Sequence, residues 1–159
     1  MTKAREEETS LALWSAVLRA KMAVGQEMRQ LFAEWNLTGA QWNVMMALGR
    51  AGPEGIMLSE IGQLLFVSGG NVTGIMDRLE EAGYATRSSH PDDRRAVLAC
   101  FTAKGRELYE QFAPLHRERV TELLAGLTPE ERVAAAAMLT RVSDYALTVR
   151  RPESADAAA

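Results

Sequence analysis

The sequence predicts a mainly α-helical fold that carries one small β-hairpin. Apolar residues recur at three- and four-residue steps through most of the chain. A tight Ser/Gly-rich break separates two short helical stretches near its middle. Directly after them the pattern turns extended on both sides of a charged, turn-rich segment. With 159 residues, 47% of them hydrophobic, the chain is long enough to bury one core.

The elements follow in order. Over residues 6–35, Leu11, Trp14, Val17, Leu18, Val24, Met28, Leu31 and Phe32 keep helical spacing, which predicts one long amphipathic helix ended by Asn36. Thr38 and Gln41 form a capping-box pattern that restarts a helix carrying Trp42, Met45, Met46 and Leu48 inward, up to Gly52-Pro53. Ile56-Met57-Leu58 reads as a short extended stretch, and Ser59 as the N-cap of a helix through Leu65. Ser68 is a second N-cap candidate, opening a helix over residues 69–82 that buries Val72, Ile75, Met76 and Leu79 before Gly83 stops it. Two short helices joined by a tight turn make a helix-turn-helix. Residues 84–87 and 97–101 then read as strands flanking His90-Pro91-Asp92-Asp93-Arg94-Arg95, a hairpin or wing whose tip is charged. A helix after Thr102 and a last one opened by Thr128-Pro129-Glu130-Glu131 complete the series. The expected organisation is a dimerisation helix over 1–36, a winged helix-turn-helix over 37–102, C-terminal dimerisation helices over 103–149 and a polar tail over 150–159.

Composition narrows the function classes. The net charge of −3 argues against a protein that coats nucleic acid over its whole surface, so a DNA-binding face has to be a local patch. Cys100 is the single cysteine, which excludes an intramolecular disulfide and suits a reducing compartment. The polar start and the absence of a long apolar run lead us to expect a cytoplasmic protein without a membrane partner. No P-loop, dinucleotide fingerprint, nucleophile elbow or paired-histidine metal motif is present, so no enzyme, metal or cofactor is expected.

A more specific reading comes from three strings: Ser68-Gly69-Gly70-Asn71-Val72-Thr73-Gly74-Ile75-Met76-Asp77-Arg78-Leu79-Glu80-Glu81-Ala82-Gly83-Tyr84, His90-Pro91-Asp92-Asp93-Arg94-Arg95-Ala96-Val97-Leu98, and Thr102-Ala103-Lys104-Gly105. Together they resemble the MarR (multiple antibiotic resistance regulator) family of bacterial transcription factors. The motifs span residues 37–108, and the helix order spans the whole chain. The resemblance implies a homodimer with interlocked terminal helices, two winged domains on one palindromic site of double-stranded DNA, and control by a small ligand or by oxidation. The regulator is expected to be a repressor.

The residue chemistry of the expected DNA face agrees with that. Ser68, Gly70, Asn71, Thr73 and Gly74 are small or polar, with no acid among them. Glycine admits close backbone approach, the Asn71 amide can read a base edge, and the hydroxyls can hold a phosphate or a base. The helix N-terminus adds a field that favours phosphate. Asp77, Glu80 and Glu81 fall later, away from DNA. On the wing, the family's Asp-x-Arg pattern is matched by Asp93 and Arg95. Arg95 is assigned to the minor groove, Asp93 to orienting it, and Arg94 to phosphate or groove contact. Arg78 and Arg87 contact phosphate or tie the wing to the helix, and the sequence does not choose between the two roles.

The remaining candidates are weaker. Trp14, Met22, Trp42 and Met46 are the residues expected to line a pocket for a small aromatic or anionic effector, although aromatic and methionine stripes more often form core. Leu11, Trp14, Leu18, Leu124, Leu127, Met138, Leu139, Val142 and Tyr145 are the expected dimer interface. Cys100, between Ala99 and Phe101, reads as a packed strand residue rather than a redox sensor. His90 reads as a solvated wing residue, and His116, among charged neighbours, as a surface residue. The competing function is a winged helix used only for protein contact.

Overall fold

The computed structural model describes residues 2–90 and 96–149. It divides into two compact units, residues 1–119 and residues 120–159. The tip of the expected wing, including Asp93, Arg94 and Arg95, lies outside the described residues, as does the tail.

The first unit begins with α1 (Lys3–Glu34), closed at Asn36, which takes a left-handed φ of 52° that asparagine tolerates. Helix α2 (Gly39–Ala51) opens on the expected capping box. The Thr38 hydroxyl accepts from Gln41 N–H at 3.2 Å, and the Gln41 side chain accepts from Thr38 N–H at 2.8 Å. Strand β1 (Ile56–Met57) leads directly into α3 (Leu58–Leu65). The N-cap of α3 is Met57, not Ser59 as expected, and Glu60 accepts from Met57 N–H at 3.1 Å. Helix α4 (Gly69–Glu81) follows after a turn in which Phe66 caps α3 in the left-handed region. Ala82 is the C-cap of α4, so the helix ends at Glu81, one residue before the expected end at Ala82.

Strands β2 (Ala85–Ser89) and β3 (Val97–Phe101) form the hairpin, and the antiparallel sheet has the order β1-β3-β2. Arg87 stands opposite Ala99 on β3, and Ile56 of β1 reaches Ala99 from the other side. Val44, Met45, Leu48, Ile61, Val72, Met76, Leu79 and Ala99 are buried together, which makes α2, α3, α4 and the sheet one core. Helix α5 (Ala103–Leu123) adds the buried Phe112.

The Thr102-Ala103-Lys104-Gly105 string works as a clasp behind α4. The Thr102 hydroxyl donates to Gly83 O at 2.6 Å and accepts from Gly105 N–H at 3.0 Å. Lys104 donates to Ala82 O at 2.8 Å, placing a cation at the C-terminal end of α4. Gly105 is required sterically, because a Cβ there would collide with the Tyr84 backbone. Gly83, at φ 72°, takes the left-handed turn that ends α4.

In the second unit, α6 (Pro129–Thr148) starts on the expected box, with Thr128 Oγ1 accepting from Glu131 N–H at 3.2 Å and Glu131 accepting from Thr128 N–H at 2.8 Å. Arg132 closes the preceding turn by donating to the carbonyls of Leu124 and Leu127, both at 3.1 Å. Helix α6 has no buried residue of its own.

Candidate nucleic-acid interface

Helix α4 is held on the core by Val72, Ile75, Met76 and Leu79. At about 100° per residue, Gly70 and Gly74 fall on the opposite, outward side. Ser68, Gly70, Asn71 and Thr73 are exposed and Gly74 is half-exposed, so all five expected readers lie on the solvent-facing side of the start of α4 and its N-cap. Ser68 occupies the N-cap position with extended backbone, but its hydroxyl makes no capping bond. Its carbonyl accepts from Asn71 N–H at 3.0 Å and Val72 N–H at 3.1 Å. The Thr73 hydroxyl donates to Gly69 O at 3.0 Å, which leaves its lone pairs facing solvent. The first turn of α4 contains no acid.

The glycines of this turn are informative because the chain does not need them. A Cβ added at Gly69, Gly70 or Gly74 would meet nothing within 4 Å, and none of the three has positive φ. Glycine inside a helix costs about 1 kcal/mol relative to alanine. An uncompensated cost at the centre of an outward face fits a surface that something else must approach closely.

Of the two roles open to Arg87, the structure has the tie between wing and helix. Its guanidinium donates to Asp77 Oδ1 at 2.6 Å and to Glu80 Oε2, with Nε at 2.9 Å from the latter. These two carboxylates hold the guanidinium in its charged form more firmly than usual, Glu80 having the larger effect. Arg78, one residue beyond Asp77, is exposed and remains available to a phosphate. Beside this tie an open cleft of about 550 Å³ is lined by Leu58, Thr73, Arg87, Ser88, Ser89 and Val97. It was not legible in the sequence, because α3, α4 and both hairpin strands contribute to it.

The four residues expected to line an effector pocket stand in different environments. Trp42 is sealed in the core at 1% exposure and Met46 packs against that core, whereas Trp14 and Met22 stand 60% and 72% exposed on α1. Trp42 lies edge-on to Phe112, at 4.7 Å between centroids, and stacks on Tyr109 at 5.4 Å. Its buried Nε1 has no hydrogen-bond partner among the described residues. His116 is not the surface residue expected. Its ring lies 5.1 Å from Trp42 and 6.2 Å from Phe32, and burial pushes its pKa below the ordinary value of 6.5. A signal existed in its position four residues after Phe112, on the same helix face. Cys100 is half-buried in β3, opposite Thr86.

The fold and this face define a winged helix-turn-helix protein with a solvent-facing recognition helix. The MarR family profile matches residues 35–96. The chain is 32% identical over 127 residues to the uncharacterized HTH-type transcriptional regulator YkoM of Bacillus subtilis (strain 168), covering 80% of this chain and 81% of that protein. Among solved structures it resembles BpsR of Bordetella bronchiseptica, whose DNA binding is regulated by 6-hydroxynicotinic acid. That likeness has a TM-score of 0.74 at 29% identity, over 83% of this chain and 98% of BpsR. At the level of fold it resembles a mutant of MarR from E. coli complexed with operator DNA, with TM-score 0.75, 24% identity, and coverage of 84% of this chain and 95% of that one. The chain belongs to the MarR family of transcriptional regulators, a family of DNA-binding proteins. Among the described residues no helix is long and apolar enough to cross a membrane.

Proposed function

We propose that the chain is a homodimeric, sequence-specific DNA-binding repressor. Helix α4 enters the major groove of each half of a near-palindromic site, and the wing over residues 88–96 reaches the adjacent minor groove. The carrying observation is the outward turn of α4, acid-free and lined by glycines that the fold does not require. Ser68, Asn71 and Thr73 supply polar groups for base edges and phosphates, and Arg78 a cation for phosphate. Arg95 and Arg94 supply the minor-groove contacts, with Asp93 orienting Arg95.

The dimer reading rests on apolar side chains that each unit leaves in solvent. Leu11 (66% exposed), Trp14 and Leu18 stand on α1, and Leu124, Leu127, Met138, Leu139, Val142 and Tyr145 (69% exposed) on α6 and the turn before it. So much exposed apolar surface is uncommon on a soluble monomer, and two-fold pairing buries it. A dimer across two half-sites covers enough duplex to exclude other proteins, which is the simplest route to repression. Release by a small aromatic or anionic ligand is the control we propose. The cleft beside Arg87 gives such a ligand simultaneous access to helix and wing. The test is selection of bound sites from random duplex DNA, with light scattering on the free protein. A monomer at micromolar concentration removes the dimer. Failure to enrich any site removes the DNA reading and leaves a protein-contact winged helix.

A further inference from the structure

We propose that Arg87 is a positioning residue. It pins the wing to the recognition helix so that both reach DNA as one rigid reader, and it does not itself contact the duplex. The inference rests on the DNA reading above.

Among the described residues β2 is an edge strand paired with β3 alone, so every second N–H on its outer side needs a partner from elsewhere. At Arg87 that partner is Glu80. Its Oε1 accepts the Arg87 backbone N–H at 2.7 Å, and its Oε2 accepts from the guanidinium of the same residue. One carboxylate on α4 therefore grips both the backbone and the side chain of the wing strand. Asp77, three residues earlier on the same helix face, takes the remaining Nη2 contact at 2.6 Å. A planar guanidinium can satisfy two carboxylates in fixed directions, whereas an ammonium makes a point contact. Two residues beyond this grip β2 ends at Ser89, and the hairpin leaves for its tip where His90 N–H donates to Ala96 O at 3.0 Å. Arg87 thus ties the described base of the hairpin to α4.

Charge supports positioning over phosphate contact. One guanidinium against two carboxylates leaves a cluster of net charge −1, which a phosphate avoids. The side chains of Arg87, Asp77 and Glu80 are 26%, 51% and 31% exposed, a setting in which ion pairs add little to stability. Loss of the pin should therefore leave the protein folded while changing how it sits on DNA.

The experiment uses the full chain, an operator obtained by selection, and the variants Arg87→Met, Arg87→Lys and Glu80→Gln. Thermal melts check folding. Guanine N7 protection from dimethyl sulfate reports the major groove, and hydroxyl-radical cleavage reports the minor groove. We expect Arg87→Met to melt within a few degrees of the parent and to keep its guanine protection at saturation. It should lose the minor-groove protection and bind about tenfold more weakly. Arg87→Lys should restore part of that protection, and Glu80→Gln should weaken binding as well. A phosphate-contacting Arg87 gives the opposite pattern: full rescue by lysine, unchanged minor-groove protection in the Met variant, and tighter binding when the Glu80 charge is removed. Any of these overturns the proposal, as does an Arg87→Met variant that no longer folds. If the parent chain binds no duplex, the DNA reading falls and this inference with it. If the parent binds and the footprints of all three variants match it, this inference alone falls.

Discussion

Replacing Gly74 with alanine should make the free protein more stable and a worse DNA binder, a combination that few substitutions produce. Gly74 lies inside α4 with open space where a Cβ would go, and its φ is not positive. Nothing in the chain resists the methyl group. The helix gains about 1 kcal/mol from the propensity difference, which for a protein of this size raises Tm by roughly 2–4 °C. On DNA the same methyl projects into the proposed contact. Overpacking a close interface costs about 1–3 kcal/mol, and a two-fold dimer incurs it at both half-sites. The sum, at least about 2 kcal/mol, corresponds to roughly a 30-fold loss of affinity. Circular-dichroism melts and fluorescence anisotropy with a labelled operator measure the two effects separately. A raised Tm with unchanged affinity would show that the outward glycine has nothing to do with DNA. A lowered Tm would refute the reading that the fold leaves this position free.

Three further outcomes test the interface and the core. Arg95→Ala should weaken binding by about 1–3 kcal/mol and flatten its salt dependence, because fewer counterions are released, while Asn71→Ala should relax base preference at one position per half-site with little change in slope. Titrations against specific and scrambled duplexes at several salt concentrations distinguish these, and two variants indistinguishable from the parent would count against the DNA face. Inserting about half a helical turn between half-sites should abolish specific binding, since a two-fold dimer fixes their spacing, and retained affinity would speak against paired α4 helices. Burial lowers the pKa of His116 below its ordinary 6.5, so at acid pH the unfolded chain takes up its proton more readily than the folded one. The stability His116 contributes is thus complete above about pH 6.5 and is lost as pH falls through the folded pKa. Denaturant unfolding of His116→Phe should show a smaller loss between about pH 7 and pH 5 than the parent, and parallel curves would refute the assignment.

What the sequence made legible was whatever is decided within one turn of helix. The boxes at Thr38 and Thr128 are local exchanges of two hydrogen bonds, and both stand where the residue types place them. The start of α3 was misplaced by two residues because the deciding interaction is remote. Pairing of Ile56 with Ala99 and of Met57 with Leu98 holds β1 extended through Met57, so the helix begins at once and Ser59 is already inside it. His116 was misread for a related reason. Its charged sequence neighbours point elsewhere on α5, while its own face meets aromatic rings from α1 and α2. The five small and polar residues of α4 were legible as a group because composition alone distinguishes that turn.

The acids of α4 show how a candidate site can be read correctly in outline and still lack its working part. Asp77 and Glu80 looked like charges merely kept away from DNA. In the structure both are engaged by Arg87, so a helix with three acids and one arginine presents fewer free negative charges than its sequence suggests. The exposed Arg78 and the uncapped first turn then stand out against a background that Arg87 has partly neutralised. On the proposed reading, an acidic chain carries a local face for phosphate without a basic stripe, because a strand cation offsets part of the charge of the helix acids and ties them away from the first turn. If the same cation also aligns the wing, as proposed, a planar, two-handed side chain suits residue 87 better than lysine.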